Sequence, residues 1–215
     1  MVVEAKAAGL VCVTETWLNG AVDSSLVHIP GYAICRADRP LRKGGGTAVY
    51  VHSDIMFSDV SQDYEALSGV EFCALNITSF HVFLVCIYLP PNVLSEVLES
   101  THRKIVDMTD DFLVKNPSYH VIIAGDLNKF DVQRLCTDLF MHDLVTLPTR
   151  GDSTLDHVMV SEGLREIYAK SGVEYDCPIG KSDHLMLTCT PSRTYCRTET
   201  TYPRFVFDLR LSHLR

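Results

Sequence analysis

Apolar and polar positions along the chain fall mostly into short runs separated by turn-forming residues. Residues 10–17, 46–52, 70–77, 81–89, 120–127, 155–161 and 185–190 are rich in Val, Ile, Cys, Phe and Thr, which predicts seven β-strands. Two stretches, Leu10-Val11-Cys12-Val13 and Val121-Ile122-Ile123-Ala124, are apolar throughout, the pattern of strands covered on both faces. Residues 70–76 alternate instead, which predicts one wetter face. Helical spacing puts Val97, Ile105, Met108 and Phe112 near one stripe of a helix over residues 95–115, with Ser95 as a candidate N-cap and Asn116-Pro117 closing it. A shorter helix is predicted from about Asp131 through Leu135 and Leu139, and residues 4–8 read as the end of a helix stopped by Gly9. Strands in meander with helices interposed predict an α/β fold of two stacked sheets flanked by helices. Periodicity fades after residue 193, so residues 1–193 are expected to form one domain and 194–215 a tail or linker.

Composition narrows the class. A chain of 215 residues with 47% hydrophobic and 21% charged residues suits one globular core. No apolar run approaches the ~20 residues of a membrane span, and no secretory pattern opens the chain. A nuclear or cytoplasmic protein, not secreted and without a membrane partner, is therefore expected. With 19 Lys+Arg against 27 Asp+Glu the net charge is −8, which argues against holding nucleic acid by bulk charge. Positive charge is nevertheless concentrated at Arg36, Arg39, Arg42 and Lys43 and again after residue 192. Basic edges beside an acidic body suit a polyanion approaching a carboxylate-lined site. The eight cysteines show no zinc-binding spacing and read as buried, reduced thiols.

Chemistry is suggested by polar residues at the ends of apolar strands, where a carboxylate is costly to desolvate unless it meets a cation or hydrogen-bond donors. Asp126 and Asn128, two apart after an apolar strand, share a side if the chain stays extended. Ser182, Asp183 and His184 are adjacent at a strand start and point alternately, so they do not form a nucleophilic triad among themselves. His184 is a candidate general base if a separate carboxylate holds its other ring nitrogen, and Asp156 is the natural orienter. Glu15, with Asp183, suits Mg²⁺ through oxygen ligands. Trp17, the sole tryptophan, is expected to pack in the core. Arg42 to Thr47 lacks the order of a phosphate-binding P-loop and reads as a turn, although its basic residues, with Arg150, are candidates for the backbone of DNA.

Taken together, Thr14-Glu15-Thr16-Trp17-Leu18, Gly31-Tyr32 with Arg36, Asp38 and Arg39, the glycines 44–46, Tyr88 with Pro90-Pro91, Gly125-Asp126-Leu127-Asn128, the segment from Thr149-Arg150-Gly151 to Ser161, and Ser182-Asp183-His184 form a distinctive order. That order resembles the endonuclease/exonuclease/phosphatase superfamily, and within it the apurinic-endonuclease-like domain of LINE-type non-LTR retrotransposons, over residues 5–191. The resemblance implies a four-layered α/β sandwich and Mg²⁺-dependent (or Mn²⁺-dependent) hydrolysis of double-stranded DNA, nicking a target site for reverse transcription. It implies that Glu15 holds the metal with Asp183 beside it, that His184 oriented by Asp156 positions the attacking water, and that Asp126 handles a proton. Asn128 would then donate to a phosphate oxygen and Tyr88 contact the phosphate or leaving oxygen. Arg36, Arg39, Arg42, Lys43 and Arg150 would line the DNA backbone. The division of labour between Asp126 and His184 stays open. In a full-length element the downstream partner would be a reverse transcriptase domain. The superfamily's first strand, which carries an active-site Asn, is not readable before Glu15, so an N-terminally truncated copy with impaired stability and activity is expected. The alternatives are an inactive or domesticated DNA- or protein-binding remnant of the same fold, and a phosphatase or phosphodiesterase of the same superfamily.

Overall fold

The computed structural model describes residues 8–40, 43–66, 69–169, 172–180, 182–192 and 205–208. Among them run the strands β1 (Leu10–Thr14), β2 (Tyr32–Ala37), β3 (Thr47–His52), β4 (Ser58–Asp59), β5 (Glu71–Ile77), β6 (Val82–Tyr88), β7 (His120–Asp126), β8 (Met141–Asp143), β9 (Asp156–Ser161), β10 (Val173–Asp176), β11 (Met186–Cys189) and β12 (Phe205–Asp208). The helices are α1 (Ser95–Lys115), α2 (Val132–Asp138) and α3 (Glu162–Ala169). The strands form two six-stranded mixed sheets, ordered β10-β11-β12-β1-β3-β2 and β4-β5-β6-β7-β9-β8.

Strand alternation explains why the apolar runs are continuous. Leu10 and Cys12 of β1, Leu84 and Cys86 of β6, and Ile122 and Ala124 of β7 belong to one core between the sheets. Their neighbours Val11 and Val13 pack on the outer face of the first sheet with Tyr32, Ala48 and Tyr50. Phe83, Val85, Val121 and Ile123 pack on the outer face of the second sheet against Ile105, Met108 and Phe112 of α1 and Leu135 of α2. Both faces of these strands are buried, so period-two polarity is absent where the sequence lacks it. The two sheets with helices against them are the predicted α/β architecture. One layer differs in kind: among the described residues the first sheet is covered by a 3₁₀ turn, Ser24–Val27, and adjoining loops, with the Tyr50 hydroxyl donating to the Val27 carbonyl at 2.9 Å. α3 sets Leu164, Ile167 and Tyr168 into the core between the sheets.

Each of the seven predicted runs contains a strand, and the strands that the pattern did not reveal are mostly edges. β10 and β2 end the first sheet, and β4 and β8 end the second. Edge strands bury less and need no apolar run, so local periodicity is faint there. β12 is a different case. It lies inside the stretch expected to be a tail, yet it pairs in parallel with β1, Leu10 opposite Phe205 through Val13 opposite Asp208, and antiparallel with β11. Four residues are too few to show a period, and their place is set by the backbone groups of the strands on either side. The helix expected over residues 4–8 lies almost wholly outside the described residues.

Candidate active site

A single rung of the second sheet assembles the site. Glu71 is paired with Tyr88, Tyr88 with Asp126, and Asp126 with Asp156. Directly paired residues share a face of a sheet, and these four share the inner face with Cys73, Cys86, Ala124 and Val158 of the central core. All four are buried. A row of polar side chains at the end of an apolar interface needs partners, and each has one.

Glu71 receives a two-pronged ion pair from Arg39, at 2.6 and 2.8 Å, and the backbone N–H of Gly46 at 3.3 Å. The Arg39 guanidinium also lies 5.5 Å above the Tyr88 ring. Tyr88 donates its hydroxyl to Glu15 Oε1 at 2.5 Å, joining the second sheet to the residue that follows β1. Burial, then the hydrogen bond to Glu15, then the nearby carboxylates push the Tyr88 phenol far above its ordinary range, so it acts as a donor at neutral pH. Asp126 Oδ1 accepts from the Asn128 side-chain amide at 2.7 Å and from its backbone N–H at 3.2 Å. Asp156 Oδ2 lies 2.7 Å from His184 Nδ1, with both side chains at most 1% exposed.

Two local devices hold this geometry. Gly125 precedes Asp126 with φ +148, and a Cβ there would come within 1.8 Å of the Ile87 carbonyl oxygen, so only glycine lets β6 and β7 pair at this rung. Thr149, fully buried, accepts the backbone N–H groups of Leu155 and Asp156 on its hydroxyl at 3.1 and 3.2 Å, while its carbonyl accepts from Leu185 at 2.8 Å. It thereby ties the start of β9 to the loop that carries His184. Thr149 opens one of the segments that carry the family resemblance, but nothing in its local sequence assigned it a role; its hydrogen bonds do.

Ligand atoms of Asp126, Asp156 and His184 lie within 4.8 Å of one another, all three residues buried. Asp156 Oδ1 is buried without a hydrogen-bond partner. Two buried carboxylates this close repel, and an orphaned carboxylate oxygen favours a positive charge beside it. The donor set, oxygens with one imidazole, fits a divalent cation. Thiol chemistry is disfavoured here: burial drives the Cys73 thiol well up, and a hydrogen bond with Cys12 followed by burial does the same to Cys86.

The sequence pattern of the endonuclease/exonuclease/phosphatase family matches residues 2–184. The chain belongs to this family. No curated protein sequence matches it significantly. Among solved structures, the endonuclease domain of TRAS1, a telomere-specific non-LTR retrotransposon, is similar at 17% identity and TM-score 0.63, over 85% of each chain. An AP endonuclease from Leishmania major is similar at 17% identity and TM-score 0.65, over 86% of this chain and 78% of that one. The 3′ phosphatase NExo from Neisseria, solved with a product DNA hairpin, is similar at 12% identity and TM-score 0.61, over 86% of this chain and 89% of that one. At these identities the likeness is one of fold.

Within this family member, the structure brings Glu15, Tyr88, Asp126, Asn128, Asp156 and His184 to one end of the sandwich. Asn128 arrives by a different route from the one predicted: the chain turns there, with φ +47, instead of running on extended. Its side-chain amide donates to Leu89 O at 2.8 Å as well as to Asp126, so it holds Asp126 in place. Asp183 is paired through Oδ2 with Arg150 at 2.6 Å, and its Oδ1 is 4.0 Å from His184 Nε2. The basic residues expected along DNA divide. Arg36 is bound to the carbonyls of Asn19 and Val22 and to Asp38, and Arg39 to Glu71. Their planar guanidinium groups satisfy loop carbonyls and a buried carboxylate, an internal role. Lys43 is exposed beside the glycine loop, and Arg42 lies outside the described residues. Trp17 is not in the core; it is 46% exposed. Its backbone takes the left-handed conformation, φ +56, so the chain turns outward after Thr16. Glu71 was missed altogether, since only the register of β5 against β6 reveals it.

Proposed function

We propose that this family member is a divalent-metal-dependent endonuclease acting on DNA, in the manner of the target-site nicking enzymes of retroelements. The observation that carries the reading is the buried Asp156–His184 pair standing beside Asp126 on the rung that also holds Tyr88. With Nδ1 held by Asp156, the imidazole has one tautomer and one orientation, and its Nε2 is the atom that would take or position a proton of the attacking water. Asp126, held by Asn128, would exchange a proton on the nucleophile or leaving-group side. Tyr88 would turn its hydroxyl from Glu15 toward a phosphate oxygen. Asp126 and the orphaned oxygen of Asp156 would hold the cation, Mg²⁺ or Mn²⁺, with Glu15 and Asp183 as the further carboxylates at this end of the sandwich; when bound it would supply charge that stabilises the phosphoryl and leaving oxygens. Support for a DNA substrate comes from the nucleases and the DNA-bound phosphatase whose fold this chain shares. A DNA substrate would bring the protein to the nucleus, and a reverse transcriptase domain would be its partner in a complete element.

A second reading, a phosphatase of the same family, is favoured by one observation: Arg36 and Arg39 are engaged internally, which leaves less positive charge for a duplex backbone. Relaxation of supercoiled plasmid with Mg²⁺, Mn²⁺ or EDTA separates the two. Nicking that needs the metal and falls by about 100-fold or more in a folded His184→Ala variant is the expected result. Release of inorganic phosphate from a small phosphomonoester with no nicking would replace the first reading by the second.

A further inference from the structure

Arg150 and Asp183 form an exposed ion pair at the rim of the site. The guanidinium lies 2.6 Å from Asp183 Oδ2, and the other oxygen of that carboxylate is 4.0 Å from His184 Nε2, the ring nitrogen that Asp156 does not hold. The two side chains are 43% and 49% exposed. Both stand on fixed backbone. Arg150 opens a closed turn, its N–H donating to the Ser153 carbonyl at 3.0 Å and its carbonyl accepting from Ser153 at 2.9 Å. It directly follows Thr149, which ties the start of β9 to the His184 loop. On the other partner's side, Ser182 Oγ accepts the His184 backbone N–H at 3.1 Å. Arg36 and Arg39 differ from Arg150. Each is only 15% exposed, Arg36 donating to two carbonyls and a carboxylate and Arg39 holding the buried Glu71 with two donors. Among the described residues the Arg150 side chain has one ion-pair partner, Asp183.

We propose that Arg150 receives the scissile phosphate and that Asp183 is its latch: in the free protein the carboxylate occupies the guanidinium, and an incoming phosphate takes it over. This rests on the reading of the buried Asp126, Asp156 and His184 group as a phosphoester site. An exposed ion pair is worth little, because water solvates both ions well when they part, so the guanidinium is transferred at small cost. A phosphate offers two oxygens to the planar N–H fork, as a carboxylate does, and can replace it there. The end of the sandwich that carries Glu15, Asp126, Asp156 and Asp183 repels an anion, so a cation fixed at its rim draws the phosphate in beside any metal ion. A phosphate that displaces Asp183 from this fork arrives next to His184 Nε2, the atom proposed to handle the proton of the water.

Inorganic phosphate, titrated at Mg²⁺ concentrations saturating for each variant and followed by its ³¹P line width, tests this without turnover. Arg150→Ala should raise the Kd about tenfold, the size of one charge-assisted contact. Arg150→Lys, which keeps the charge and loses the fork, should fall between. Asp183→Asn should lower the Kd by releasing the guanidinium, and that gain should vanish when Arg150→Ala is added. The opposite signs are decisive, since a pair that only braced the loop would weaken binding when broken from either side. An unchanged Kd in Arg150→Ala would overturn the proposal. So would weaker binding in Asp183→Asn, or an equal gain from Asp183→Asn with and without Arg150. The expected pattern in a protein that nicks no DNA would leave the latch standing and remove the nuclease reading. Metal-dependent nicking with phosphate binding indifferent to Arg150 would do the reverse.

Discussion

Tyr88 is the residue through which the two sheets communicate at the site. Its hydroxyl hydrogen-bonds Glu15, and it is buried beneath the Arg39 guanidinium. The phenol of an unfolded chain titrates near 10, and in the fold it titrates higher because burial disfavours the phenolate and Glu15 holds the proton. Above about pH 10 the unfolded chain loses this proton while the folded chain keeps it, so stability that is full below that pH is lost as pH rises. Tyr50 and Tyr64 are shifted the same way, chiefly by burial, and share in the decline. Tyr88→Phe should therefore lower stability at neutral pH by about 1 kcal/mol and make the alkaline decline shallower. Thermal unfolding of both proteins from pH 7 to 11 tests this; curves that keep a constant separation would exclude Tyr88 ionisation as a contributor to the alkaline decline, and coincident curves at neutral pH would exclude the Glu15 hydrogen bond.

At the scale of the elements, the pairing of β6 with β7 decides whether the site exists. Both strands end at the rung of Tyr88 and Asp126, and the residue before Asp126 sits against the Ile87 carbonyl. Glycine is required at 125 for two reasons at once, its φ of +148 and the absence of room for a methyl group. Gly125→Ala should cost about 2–3 kcal/mol or more by overpacking and should shift Asp126 away from Asp156. A lowered urea midpoint together with a fall in hydrolytic rate is the expected outcome, whereas a stable and fully active variant would show that the strands can separate there freely. The glycine of Gly-Asp-Leu-Asn is thus a packing residue of the sheet, and the chemistry belongs to its neighbours. Thr149 plays the corresponding part for β9 and the His184 loop by accepting two backbone N–H groups.

For the molecule as a whole, the Arg39–Glu71 ion pair is a strut between the layers. Glu71 opens β5 in the second sheet, while Arg39 follows β2 of the first, and their side chains are 7% and 15% exposed. Removing one partner strands a buried charge, so Arg39→Met should destabilise the fold by about 3–5 kcal/mol. Replacing both, with Arg39→Met and Glu71→Leu, should recover much of that loss, because a packed apolar pair carries no desolvation penalty. Chemical denaturation of the two variants checks the prediction, and equal destabilisation in both would show that packing volume, not charge, is what matters there. The pair also engages an arginine that the linear charge pattern suggested for DNA, which illustrates why a cluster of basic residues in a sequence is not a surface patch until its partners are known.

Several features were determined by the amino-acid order alone. Runs of apolar residues long enough to cross a two-layer interior announced β1, β3, β5, β6, β7, β9 and β11, and the stripe of Ile105, Met108 and Phe112 announced α1. Carboxylates and a histidine at the ends of those runs singled out Glu15, Asp126, Asp156 and His184, because burying such groups is costly without partners, and the fold gives each one a hydrogen-bond partner. These are local properties, carried by side-chain periodicity and by the cost of desolvating a charge. Tertiary structure decided the rest. The register that aligns Glu71, Tyr88, Asp126 and Asp156 depends on pairing between distant segments, as does the insertion of β12 beside β1. The outward turn of Trp17 and the internal capture of Arg36 and Arg39 arise from contacts that no stretch of neighbouring residues contains. Hydrogen-bond register and ion pairing are set by which strands become neighbours, and that is a property of the folded chain.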